Sequence, residues 1–215
     1  MHSVIHMKRW HLFTALNLAL ALLAGCTSLD EKERAWIFQP SDRTWGGGSV
    51  AAAEGMEDVW IDFDAKNNRQ AVAPKAHLHG LWLAADVPRA AKGPVLLYLH
   101  GARYNVTGSA PRIRRMQELG FSVLAIDYRG FGKSTKLLPS ESSAYEDARV
   151  AWDWLAKAYP DRPRYIFGHS LGSAIAINLA NEVADESGTI VEGAFTSIAD
   201  VVSSSEWGWV PVSML

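Results

Sequence analysis

The rhythm of apolar and polar positions changes three times along the chain. It opens with a basic start, Met7-Lys8-Arg9, and an apolar run, "LFTALNLALALLAG", followed by the polar stretch "TSLDEKER". "AWIFQPS" (35–41) reads as an edge strand and "WGGGS" (45–49) as a flexible break, so residues 26–50 are expected to form a tether and a first edge strand. "DVWIDF" (58–63) and "AHLHGLWLA" (76–84) are rich in β-branched and aromatic residues with partial alternation, and predict antiparallel strands of a meander.

From Pro94 the pattern turns into buried strands alternating with helices. "PVLLYLHG" (94–101), "FSVLAIDYRG" (121–130), "RYIFG" (164–168) and "IVEGAFTSI" (190–198) are continuous apolar runs of the kind covered on both faces. Between them, "APRIRRMQELG" (110–120) predicts a helix closed by Gly120. "SSAYEDARVAWDWLAKAYP" (142–160) predicts one capped at Ser143 and stopped by Pro160, and Leu171–Ala184 a third. This alternation predicts a mostly parallel α/β sheet with helices on both faces. Ligands in such sheets bind beyond the carboxyl ends of the strands, where "HG", "DYRG", "GHS" and "FTS" fall.

Composition changes this picture little. With 215 residues, 48% hydrophobic and 20% charged, the chain is that of a globular domain. A net charge of −2 gives no reason to expect a nucleic-acid partner. No cofactor or metal site is expected: His77 and His79 alternate on a strand, and Cys26 is the only cysteine.

The amino-terminal run is shorter than the roughly 20 residues a membrane span needs. It ends in Leu23-Ala24-Gly25-Cys26, which resembles the bacterial lipobox. That resemblance implies removal of residues 1–25 as a signal peptide, lipidation of Cys26 and attachment to a membrane. Thr27 after the cysteine points to the outer membrane of a bacterial envelope, facing the periplasm.

Gly168-His169-Ser170-Leu171-Gly172 fits G-x-S-x-G between a strand and a helix, which places Ser170 on a sharp turn. A serine there can act as a nucleophile, with a helix N-terminus favouring the developing negative charge. The two oxyanion donors are then the N–H of Leu171 and one from the His100-Gly101-Ala102 loop, assigned to Ala102. His100 reads as a brace of that loop.

"YLHG", "IDYRGFGKS", "FGHSLGSAIAINLA" and "EGAFTSIAD" follow one another in the order and spacing of α/β-hydrolases. Over residues 58–200 the chain resembles the Bem46-like branch, related to ABHD13 and ABHD17. The resemblance implies an α/β-hydrolase fold over 51–215 and a serine hydrolase that cleaves an ester, thioester or acyl bond of a small acyl substrate, with Ser170 as nucleophile. Asp127 and Arg129 match a turn of this family taken as structural.

The family carries its acid after a later strand and its catalytic histidine after the last one, and nothing in residues 1–215 corresponds to either. His77 and His79 lie in the meander, and His100 and His169 belong to the turns themselves. Asp200 follows the fourth parallel strand, where a minority of these enzymes hold the acid, but an ordinary loop carboxylate is the preferred reading. The chain is therefore expected to be the N-terminal part of an enzyme and not to turn over by itself. The alternative is a non-catalytic scaffold or decayed fragment with an interaction role. "GFGKS" (130–134) is not a phosphate loop, since Asp127 stands where the first glycine belongs.

Overall fold

The computed structural model describes residues 31–44, 46–66, 75–86 and 92–194. Its sheet has six strands: β1 (Glu57–Asp64), β2 (Lys75–Leu83), β3 (Val95–Leu99), β4 (Ser122–Ile126), β5 (Arg164–His169) and β6 (Gly188–Glu192). They lie in the order β1-β2-β4-β3-β5-β6. β1, β2 and β4 pair antiparallel, whereas β4, β3, β5 and β6 run parallel. The predicted meander and parallel run are both present, joined through the β2–β4 pair.

Period-two geometry splits each central strand between two cores. Val95, Leu97 and Leu99 of β3 face one side, against Trp152 and Leu155 of α4 (Glu141–Ala158) and Ile175 and Leu179 of α5 (Leu171–Glu182). Leu96 and Tyr98 face the other, against Ile113 of α3 (Ala110–Glu118) and Val106 of the short 3-10 turn Val106–Ser109. With both faces covered, β3 and β4 are wholly buried, which explains their unbroken apolar runs.

Two expectations for the amino-terminal segment are corrected. Residues 31–38 form a helix (α1), not an edge strand. Burial of Phe38 in the core from this helix overrides the β-prone "WIF" and adds to the helix formers of "EKERA". Gln39, at φ +47°, then ends the helix before Pro40. "GGGS" is likewise not a break but part of α2 (Gly46–Ala52). Tertiary contacts hold this glycine-rich helix: Ser49 Oγ donates to Gly108 O at 3.4 Å, and Arg114 Nε to Ala52 O at 2.6 Å. Phe38 is buried in the main core, and its carbonyl accepts the Arg103 N–H at 3.1 Å. The described part of the segment expected as a tether is thus packed onto the domain from Phe38 onward.

The cap of α4 is also displaced from its expected place. Ser140 is the N-cap, its hydroxyl accepting the Ser143 N–H at 3.2 Å, while Ser143 Oγ accepts the Ser140 N–H at 2.9 Å. Ser143 occupies the third helical position, closing the reciprocal box from inside. Gly120, at φ +95°, follows α3 as expected.

Candidate functional site

The turn between β5 and α5 gathers the chemistry. Ser170 adopts φ +54° and ψ −120°, a region that costs a non-glycine residue about 1–3 kcal/mol. Two backbone hydrogen bonds hold it there. The Ser170 N–H donates to Glu192 O at 2.8 Å, and the Ser170 carbonyl accepts the Ser173 N–H at 2.8 Å. Ser173 Oγ, buried, lies 2.9 Å from Gly168 O and 3.1 Å from Glu192 O, tying β5, β6 and α5 together.

Glycines let the helix close on the sheet. A Cβ on Gly172 would lie 2.1 Å from Leu99 O, and one on Gly168 2.3 Å from Gly172 O. The loop after β3 lies over the serine: a Cβ on Gly101 would be 3.2 Å from Ser170 Cβ and 3.3 Å from His169 Nδ1. His169 is half-buried, and burial, with Arg112 nearby, holds its imidazole below its ordinary value. Among the described residues, the N–H groups of Ala102 and Leu171 donate to no backbone carbonyl.

Beneath that loop lies a buried polar cluster. His100 Nδ1 is 2.6 Å from Gly101 O; a carbonyl only accepts, so this nitrogen carries the proton. Its other nitrogen faces Asp127 Oδ1 at 3.5 Å. Asp127 Oδ1 also accepts the Val106 N–H at 2.7 Å, and Oδ2 lies 3.2 Å from His79 Nδ1. His79 Nε2 in turn lies 2.5 Å from Asp58 Oδ1. Burial works against an ionised Asp127, but the His100 and His79 rings more than offset it, so the carboxyl sits below its ordinary range. For His79, burial opposes the charge, but the hydrogen bonds and charge of Asp127 and Asp58 win, and the ring sits above its ordinary value.

A second buried group locks the "DYRG" turn. Arg129 Nε donates to Asp147 Oδ1 at 2.6 Å, its N–H to Asp147 Oδ2 at 2.8 Å, and Nη2 to Glu146 Oε2 at 2.7 Å. The guanidinium stacks 5.2 Å above the Phe63 ring. The structural role read for Arg129 agrees with this geometry.

His100 braces its loop, as expected. The connection to His79 was not legible: His77 and His79 share one face of β2, so alternation does not mark which of them points at a carboxylate, and Asp127 is 48 residues away. Ser173 and the Glu192 carbonyl went unnoticed for the same reason, because their roles exist only between elements. Among the described residues no imidazole hydrogen-bonds the Ser170 hydroxyl. Cys26, Asp200 and Phe195-Thr196-Ser197 lie outside the described residues. No described helix is long and apolar enough to cross a membrane.

The strand order, the strained serine between β5 and α5 and the glycine loop above it are those of an α/β-hydrolase. The chain belongs to the serine aminopeptidase S33 family (Hydrolase_4), whose profile matches residues 90–211. It is 36% identical over 118 residues to the lysophosphatidylserine lipase ABHD12 of Xenopus tropicalis, across 52% of this chain and 30% of that protein. To human protein ABHD12B it is 34% identical over 112 residues, 49% of this chain and 30% of that one. The chain thus spans less than a third of the length of these curated relatives, which are of the ABHD group the motifs pointed to. Among solved structures, an α/β-hydrolase of Vibrio vulnificus superposes with a TM-score of 0.63 at 22% identity, covering 83% of this chain and 62% of that one. A thermostable carboxyl esterase of Bacillus coagulans gives 0.54 at 23% identity, covering 68% and 48%. These two share the fold.

Proposed function

We propose that the protein is a serine hydrolase cleaving an ester, thioester or related acyl bond through an acyl-enzyme on Ser170. The observation that carries this reading is the left-handed Ser170 between β5 and α5 with the Gly101 loop against its Cβ. In the reaction, Ser170 Oγ attacks the substrate carbonyl while a base takes its proton. The oxyanion that forms is met by the N–H groups of Leu171 and Ala102, worth several kcal/mol in a preorganised site. The alcohol or thiol departs with a proton, and water then releases the acid and restores the serine. In this reading the general base and its acid come from outside residues 31–194.

The substrate class favoured by the relatives is a lipid-type acyl ester, because the chain is 36% identical over 118 residues to a protein named a lysophosphatidylserine lipase. Attachment to a bacterial envelope membrane through lipidated Cys26 fits such a substrate and rests on Leu23-Ala24-Gly25-Cys26.

The test is covalent. Full-length protein treated with a fluorophosphonate is expected to carry the adduct on Ser170, and Ser170→Ala to carry none; well-folded, unlabelled wild type refutes the hydrolase reading. For the anchor, Cys26→Ser is expected to leave the membrane fraction, and an unchanged distribution refutes it.

A further inference from the structure

The chain of polar contacts beneath the HG loop runs from the surface of β1 to the peptide unit proposed to bind the oxyanion. Gly101 C=O and Ala102 N–H are opposite ends of one planar trans peptide. Whatever holds that carbonyl therefore aims that N–H. His100 Nδ1 holds it at 2.6 Å. The His100 ring is packed at 4.8 Å from the Tyr128 ring and 5.1 Å from that of Phe131, and its buried Nε2 faces Asp127 Oδ1 at 3.5 Å, a charge contact without a hydrogen bond.

Asp127 is itself oriented from both ends. Val106 N–H fixes Oδ1, and a Cβ on Gly132 would lie 1.9 Å from Oδ2, so the carboxylate occupies room that only glycine leaves. His79 fixes Oδ2. The ring is almost wholly buried, and both its nitrogens face carboxylate oxygens, which only accept, so both donate. The backbones of the two residues are also joined, Asp127 N–H to His79 O at 2.8 Å. Asp58, at the outer end, is half-exposed and shares Oδ1 with Lys133 Nζ at 3.1 Å.

We propose that His79, held by Asp58, is a positioning residue for the oxyanion donor: through Asp127 and His100 it sets the orientation of the Gly101–Ala102 peptide over Ser170. This rests on the proposed use of Ala102 and Ser170. His79, Asp127 and His100 are buried beneath the loop, so the effect of the relay is expected in transition-state stabilisation and not in binding. A rotated peptide loses an interaction made with the tetrahedral oxygen but leaves the acyl group's contacts in place.

The experiment uses the full-length protein, with hydrolysis of p-nitrophenyl butyrate read alongside fluorophosphonate labelling and thermal melting. Asparagine at 79 places an amide donor near the Nδ1 position and can still reach Asp127; glutamine reaches the Nε2 position and leaves Asp127 Oδ2 unpaired. Loss of a whole oxyanion donor lowers kcat by about 10²–10³, so His79→Gln is expected to lower it by roughly 10–100-fold with KM within about twofold. His79→Asn is expected to recover most of that loss. Asp58→Ala, at a half-exposed position where folding is not at stake, should lower kcat by roughly three- to tenfold at unchanged KM.

A kcat unchanged in His79→Gln and Asp58→Ala overturns the inference. So do equal losses in His79→Asn and His79→Gln that follow their melting temperatures, or a rise in KM at constant kcat. If His79→Gln does not fold, Asp58→Ala against His79→Asn decides alone. Wild type that shows no adduct on Ser170 overturns the hydrolase reading and this inference with it; labelled wild type with unaffected variants overturns the inference only.

Discussion

Replacing Gly172 with alanine presses on the contact that seats α5 against β3. The new Cβ would lie 2.1 Å from Leu99 O and 2.7 Å from both His100 O and Leu99 C. All three atoms are backbone, so no side chain can swing aside. To move from 2.1 Å to the 3.4 Å at which ordinary contact begins, α5 must retreat by about 1.3 Å. Overpacking of this kind costs about 1–3 kcal/mol, and each kcal/mol lowers Tm by about 2–4 °C in a domain of this size. The retreat carries Ser170 away from the Gly101 loop, and a displacement of about 1 Å can slow a reaction by ~10²-fold. Thermal melting and the rate of fluorophosphonate labelling are measured on full-length Gly172→Ala beside Gly47→Ala. A Cβ on Gly47 meets nothing within 4 Å, so that helical substitution is expected to leave labelling intact and to raise stability slightly. Wild-type melting and labelling in Gly172→Ala would refute the close seating of the elbow.

Three further outcomes follow from the geometry. Ser170→Gly removes the side chain that strains φ +54° and is expected to stabilise the fold by about 1 kcal/mol in urea denaturation while abolishing labelling; no gain over Ser170→Ala would show an unstrained turn. Asp147→Asn leaves the buried Arg129 with Glu146 as its remaining carboxylate and is expected to cost about 3 kcal/mol, read as a lower denaturation midpoint. In pH titrations of stability, the raised His79 contributes fully below its unfolded value of 6.5 and loses its contribution as pH rises through the higher folded value. The lowered Asp127 contributes above 3.8 and loses its contribution as pH falls through the lower folded value. His79→Asn should therefore flatten the decline on the alkaline side; an unchanged slope there would show that His79 does not titrate with folding.

Much of this protein was legible along the chain because its elements obey local rules. Continuous apolar runs mark strands covered on both faces, and a glycine-flanked serine between a strand and a helix marks a sharp turn. The mostly parallel character of the sheet and the sharp turn at Ser170 follow from those signals together with right-handed crossovers, while the order β1-β2-β4-β3-β5-β6 belongs to the folded sheet. Local rules failed where contacts from elsewhere prevailed. "WIF" took a helix because Phe38 could enter the core from it, and "GGGS" became helical because Ser49 and Ala52 meet the 3-10 turn and α3. His79 and Asp127 became one unit for a different reason: β2 and β4 are neighbours in the sheet, while their residues stand 48 apart in the chain. Spacing along the chain carries the chemistry of a turn. Only the folded sheet decides which buried charge faces which, because that depends on distances of a few ångströms between strands that sequence does not order.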